Sequence, residues 1–148
     1  TAASGVTIDG LLIKDAAVRG LQNSTAGATA ITTTRVMTLA DAGGIFTVAQ
    51  SSAYDIDLPS PTTGAGCWYH FQLVSPGAFN VTITVAGAAA TFEGTITIDG
   101  ATVPATGSTL TFATGASVLG DNISICSTGT GKYFVRAIAS GAGGIAVS

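Results

Sequence analysis

Charged side chains are scarce in this sequence. Five Lys or Arg and eight Asp or Glu make up 9% of 148 residues, against about a quarter in an ordinary soluble domain. Three of the five cations fall in the first 35 residues, and the others are Lys132 and Arg136. No basic stripe exists to follow a phosphate backbone, so nucleic acid is not expected as a partner. No apolar run reaches the 18 residues of a membrane span, so no membrane segment is expected. Nor does any stretch carry the basic start and apolar centre of a secretory signal.

The chemistry of sites is thin as well. Two cysteines, Cys67 and Cys126, cannot build a disulfide framework; a single bridge between them stays open because its geometry is not readable from sequence, and two free thiols are the favoured reading. With one histidine and those two cysteines, no zinc-type ligand set is available, and neither metal nor cofactor is expected. That histidine, His70, lies in mid-strand with no G-x-S-x-G elbow around any serine, so no catalytic role is expected. Asp55 and Asp57 fall two residues apart on one strand face, which brings their carboxylates near each other. Without a D-x-D-x-D-G loop they read as polar positions on a wet face rather than a calcium site or a glycosidase pair. Glu93, the one glutamate, fits a bulge or turn beside Gly94. The glycines of "SGAGG" near the C-terminus precede no helix and read as a turn, not a phosphate cradle.

What the chain has in quantity is Ala, Gly and Thr, and a mean hydropathy of +0.55. A surface with so little charge suits burial against neighbouring subunits better than life as a free monomer. Helix signals are nearly absent, while alternation with period two recurs. "GCWYHFQLVS" (66–75) sets Cys67, Tyr69, Phe71 and Leu73 on one face and Trp68, His70, Gln72 and Val74 on the other. "AYDIDL" buries Tyr54, Ile56 and Leu58 and ends at Pro59, which has no N–H for a ladder. "NVTITV" buries Val81, Ile83 and Val85. "TITIDGATV" predicts a hairpin turning at Asp99-Gly100, where a type I′ turn needs positive φ at both central residues. "STLTF", "DNISICS" and "GGIAVS" supply further strands. "GKYFVRAIAS" is apolar on both faces, which predicts a central strand or one at a subunit contact.

Short strands about ten residues apart, with glycine-rich turns, predict an all-β fold, an antiparallel β-sandwich or jelly-roll. The small, polar stretch "GLQNSTAGATA" (20–30) divides the chain into an N-terminal arm with linker, 1–30, and a β-sandwich domain, 31–148. The arm holds "GVTIDGLLIKDAAVRG" (5–20), whose "TIDG" returns at 97–100. Asp-Gly turn chemistry accounts for that echo without a duplication.

Taken in order, "TLADAGGIFTV", "YDIDLPSP", "GAGCWYHFQLV", "NVTITVAG" and "GDNISICSTGTGKYFVRAIASGAGGIAVS" resemble a domain of tailed-bacteriophage virion proteins. "GVTIDGLLIKD" is similar to a segment that often precedes that domain. "GKY" stands where the family commonly has Trp, and Cys67 and Cys126 are not part of the pattern. The resemblance implies a non-enzymatic head-decoration (cement) protein or a fibre-like appendage, typically trimeric. A decoration protein would sit on the outer surface of the capsid as a homotrimer, with the major capsid protein as partner. Its anchoring residues would come from the arm: Val6, Ile8, Asp9, Leu11, Leu12, Ile13, Lys14, Asp15 and Arg19, with strand addition by Val6–Ile13 and register set by the charges. The alternative is a tail-fibre or receptor-binding module contacting host glycans through Trp68 or Tyr54 with Asp55 and Asp57. A secreted adhesin or surface hydrolase is disfavoured by the missing signal and the missing acid–base groups.

Overall fold

In the computed structural model of the chain, the described residues are 28–85 and 91–148, together with the paired segments Thr7–Ile8 and Leu11–Leu12. Those segments, β1 and β2, pair antiparallel with Ile8 opposite Leu11, leaving the Asp9-Gly10 dipeptide between them. Twelve further strands follow. They are β3 (Thr29–Ile31), β4 (Arg35–Val36), β5 (Ile45–Ala49), β6 (Tyr54–Leu58), β7 (Trp68–Ser75) and β8 (Val81–Val85), then β9 (Thr91–Ile98), β10 (Ala101–Gly107), β11 (Thr109–Phe112), β12 (Asn122–Ser127), β13 (Lys132–Ala139) and β14 (Ile145–Val147). A single 3₁₀ turn over Leu39–Asp41 is the only helical element among the described residues.

The strands form a seven-stranded sheet, ordered β10-β9-β13-β12-β7-β5-β3, and a five-stranded sheet, ordered β14-β11-β8-β6-β4. The all-β expectation holds. The wholly antiparallel arrangement does not, because β3/β5, β5/β7, β4/β6, β6/β8 and β9/β13 are parallel. From β3 to β8 the chain steps between the two sheets at every strand, so each sheet gains its next strand in the same direction. Parallel neighbours need a long crossover, and here a strand of the opposite sheet serves as that crossover.

Side chains from both sheets build one core cluster that includes Val48, Ile56, Leu58, Tyr69, Phe71, Leu73, Val81, Ile83, Phe92, Leu110, Phe112, Ile123 and Tyr133. Alternation predicted this face correctly on β6, β7, β8, β11 and β12, and β13, read as apolar on both faces, turns Tyr133, Val135 and Ala137 into the core. The three tyrosines of the chain are all in the core, and each hydroxyl donates to the carbonyl of a segment lying across it: Tyr54 to Ile31 (2.7 Å), Tyr69 to Thr38 (3.1 Å) and Tyr133 to Pro59 (2.9 Å). Buried hydroxyls thus find partners without breaking the apolar packing. Burial raises the pKa of all three, that of Tyr133 to about 12.

Hairpin β9–β10 turns at Asp99-Gly100 with φ of 47° and 79°, as the Asp-Gly signal predicts. Glu93 is a correction. It lies within β9 opposite Phe134, not at a turn, and pairs with Lys132. Between β4 and β5, Asp41 accepts from the Thr38 N–H (2.8 Å), the Thr38 hydroxyl (2.7 Å) and Arg35 (2.6 Å). Burial alone would raise the Asp41 pKa, but these contacts outweigh it and hold the carboxyl below its usual value.

Candidate functional site on the outer face of the seven-stranded sheet

Strand register decides which outward side chains meet. Cys126 on β12 lies opposite Trp68 on β7 and Phe134 on β13, so the three form one row. The next row is His70, Ser124 and Arg136, and the third is Gln72, Asn122 and Ile138. β13 is central, flanked by β9 and β12. Its outer face leaves Phe134 42% and Ile138 46% exposed, and Trp68 on β7 is 37% exposed.

The first two rows enclose a cleft of about 220 Å³, lined by Trp68, Ser124, Cys126, Phe134 and Arg136 over the backbone of Tyr69, Ile125 and Val135. The indole and the phenyl ring stand on strands two spacings apart, roughly 10 Å, with the Cys126 side chain between them at the floor. Within the second row, His70 Nδ1 and Ser124 Oγ are 2.8 Å apart. Burial holds the His70 pKa below its ordinary value. Among the described residues, Ser124 is the one side chain hydrogen-bonded to His70, and no carboxylate completes a relay behind it. The three cations of the described residues differ in their partners. Arg35 pairs with Asp41 and Lys132 with Glu93, while Arg136 has no carboxylate partner among the described residues.

At the other end of the same sheet the surface is apolar. The β11–β12 connection is tied to the end of β7 by Gly120 N–H to Leu73 O (3.0 Å) and to the β7–β8 connection by Gly115 N–H to Gly77 O (3.3 Å). These segments expose Val74, Phe79, Val118 and Leu119, the last at 64%. Asp121 anchors the connection from within. Fully buried, it accepts from Val118 N–H and Ser140 N–H, both at 2.8 Å.

The five-stranded sheet turns a different surface outward. Asp55, Thr82, Thr111 and Ala146 share one row, and Asp57, Thr84 and Thr109 the next. Asp57 accepts a 2.5 Å bond from the Thr84 hydroxyl. The grouping of Trp68 or Tyr54 with Asp55 and Asp57 is therefore not formed. Tyr54 is buried at 5% exposure, and the two aspartates lie on the outer face of the other sheet. Trp68 stands instead with Phe134, Ser124 and Arg136. The signal for this lay in "GKYFVRAIAS", whose outward residues are aromatic, cationic and aliphatic in turn, but the neighbour strands were not readable from it. Among the described residues no three His, Cys, Asp or Glu are placed to hold a metal ion. Both cysteines are free, Cys67 buried and Cys126 exposed.

Of the expected arm residues, Ile8, Leu11 and Leu12 fall in the β1–β2 pair. Val6, Asp9, Ile13, Lys14, Asp15 and Arg19 lie outside the described residues. Comparison with protein-family models, curated proteins and solved structures finds no match to the chain.

Proposed function

We propose that this chain is a non-enzymatic structural protein of a tailed-phage virion. It decorates the outer surface of the head as a homotrimer of β-sandwiches, and its partner is the major capsid protein. The observation that carries the assembly half of this reading is the apolar end of the molecule. Phe79, Val118 and Leu119 are each exposed on connections hydrogen-bonded to one another and to the end of β7, in a chain with only 9% charged residues. Grouped exposed apolar side chains mark contact surfaces, and a closed homo-oligomer is the commonest way to cover them. The virion half rests on the ordered motifs from "TLADAGGIFTV" to "GGIAVS".

In this reading the arm, with Val6, Ile8, Asp9, Leu11, Leu12, Ile13, Lys14, Asp15 and Arg19, anchors the trimer to the shell. Removing residues 1–20 leaves a folded trimer that no longer sediments with capsids. A truncated chain that decorates shells at full affinity overturns the anchoring role.

A second reading, a tail-fibre or receptor-binding module, is favoured by the aromatic cleft between Trp68 and Phe134. Immunolabelled virions separate the two: label over the head faces supports decoration, and label at the tail supports receptor binding.

A further inference from the structure

The cleft over Cys126 has two aromatic walls and an apolar floor, with Arg136 on its border, and each restricts what fits. Its sides are two aromatic rings, Trp68 and Phe134, on strands that flank β12. A gap of two strand spacings admits a flat six-membered ring against either aromatic face. The cleft surface itself is apolar, and Ser124, whose hydroxyl contacts His70, and the exposed Arg136 stand in the row beside the aromatic pair and border it. Arg136 has no carboxylate partner among the described residues, whereas Arg35 and Lys132 each have one. An unpaired guanidinium beside apolar walls is matched by a planar anion, because its fork of N–H donors fits a carboxylate bidentately. Pockets of this kind, apolar with a few convergent polar groups, are the ordinary form of a small-ligand site.

We infer that the Trp68–Cys126–Phe134 cleft binds a sugar ring that carries a carboxylate, a uronic-acid unit of an acidic polysaccharide, with the ring between the aromatic walls and the carboxylate on Arg136. A polynucleotide also stacks on aromatics. It brings a phosphate for every base, however, and one unpaired cation among the described residues, in a chain of net charge −3, does not neutralise such a series. A second copy of the chain would have to bring one of its own carboxylates onto Arg136 to cover this face without leaving the cation desolvated. The apolar end at Phe79, Val118 and Leu119 offers a contact free of that cost. The inference deepens the receptor-binding reading. Its assay uses the isolated 148-residue chain, so the result does not depend on where the chain sits in a particle.

Trp68 is the sole tryptophan, and selectively excited tryptophan emission therefore reports on the cleft. Titration with a galacturonic acid hexasaccharide is expected to give a saturable change, and a neutral galactose hexasaccharide none. Arg136→Gln weakens the acidic sugar roughly tenfold or more, the usual effect of losing a charge-assisted hydrogen bond. Phe134→Ala weakens it while far-UV circular dichroism stays native. Equal responses to the two sugars, unchanged affinity in Arg136→Gln, or no response to either sugar overturns the inference. Protection of Trp68 from acrylamide that grows with protein concentration also overturns it and assigns the face to a second copy.

Discussion

Gly94 on β9 and Val135 on β13 run side by side so closely that a β-carbon on residue 94 would lie 2.0 Å from the Val135 carbonyl oxygen. Gly94 also has φ of 148°, a region L side chains rarely adopt. The parallel β9/β13 pairing joins the β9–β10 hairpin to the centre of the seven-stranded sheet. Gly94→Ala should therefore cost about 3 kcal/mol or more, because strand and side chain cannot both keep their places. At roughly 3 °C per kcal/mol for a chain of this size, the thermal midpoint falls by about 10 °C. A variant melting within about 2 °C of the native chain would rule out the close approach.

Asp121 ties two connections to each other. Its oxygens accept one from Val118 N–H and the other from Ser140 N–H, and the side chain has no exposed surface. Asparagine keeps one acceptor and turns an NH₂ toward the second donor. Asp121→Asn is expected to cost about 1–3 kcal/mol, the penalty of a buried donor without a partner. The loss reaches beyond stability, since Val118 and Leu119 belong to the connection it holds. Sedimentation of the variant below its melting temperature should show weaker self-association than the native chain. Native melting and native association together would remove Asp121 from this role.

The thiols offer a direct reading of sheet orientation. Cys67 has no exposed surface and Cys126 is exposed on the outer face. A colorimetric thiol reagent should titrate one cysteine per native chain and two in denaturant. Cys126→Ser should abolish the native signal, and Cys67→Ser should leave it intact. Two reactive thiols in the native chain would contradict the burial of Cys67.

Legibility of this fold follows the period of its side chains. On β7, the alternation of Cys67, Tyr69, Phe71 and Leu73 against Trp68, His70, Gln72 and Val74 identified both faces, because a half-buried strand must alternate whatever its neighbours. The Asp99-Gly100 turn was readable because its backbone demand is local. Strand direction was not readable. Ile56 on β6 lies beside Ile83 on the parallel β8, and Ile83 beside Leu110 on the antiparallel β11. The alternation is the same in both pairings. Strands β3, β4 and β5 were missed for a related reason: two of them are three residues or fewer, too short for a period to show. The cleft was half legible. Phe134 and Arg136 were expected on one face, but Trp68 and Ser124 reach them only through the β7-β12-β13 order, which is set by tertiary packing.

His70 gives the chain a pH response that can be followed without labels, as it is the only histidine. Burial lowers its pKa below 6.5, and its Nδ1 lies 2.8 Å from Ser124 Oγ. In the unfolded chain the same ring titrates near 6.5, so between the two values the unfolded state binds more proton. Stability then rises with pH across that interval. The contribution is complete above about 6.5 and is lost as pH falls through the folded-state value, below which the curve flattens. Asp41, whose carboxyl is held below its usual value by Thr38 and Arg35, contributes a further loss of stability as pH falls through the carboxylate range. NMR titration of the His70 Cε1 proton should give a midpoint below that of the urea-unfolded chain. Urea midpoints should rise from pH 5 to pH 7, and His70→Gln should remove that slope. A His70 midpoint at or above the unfolded value would reverse the sign and show the ring to be charged and solvated in the fold.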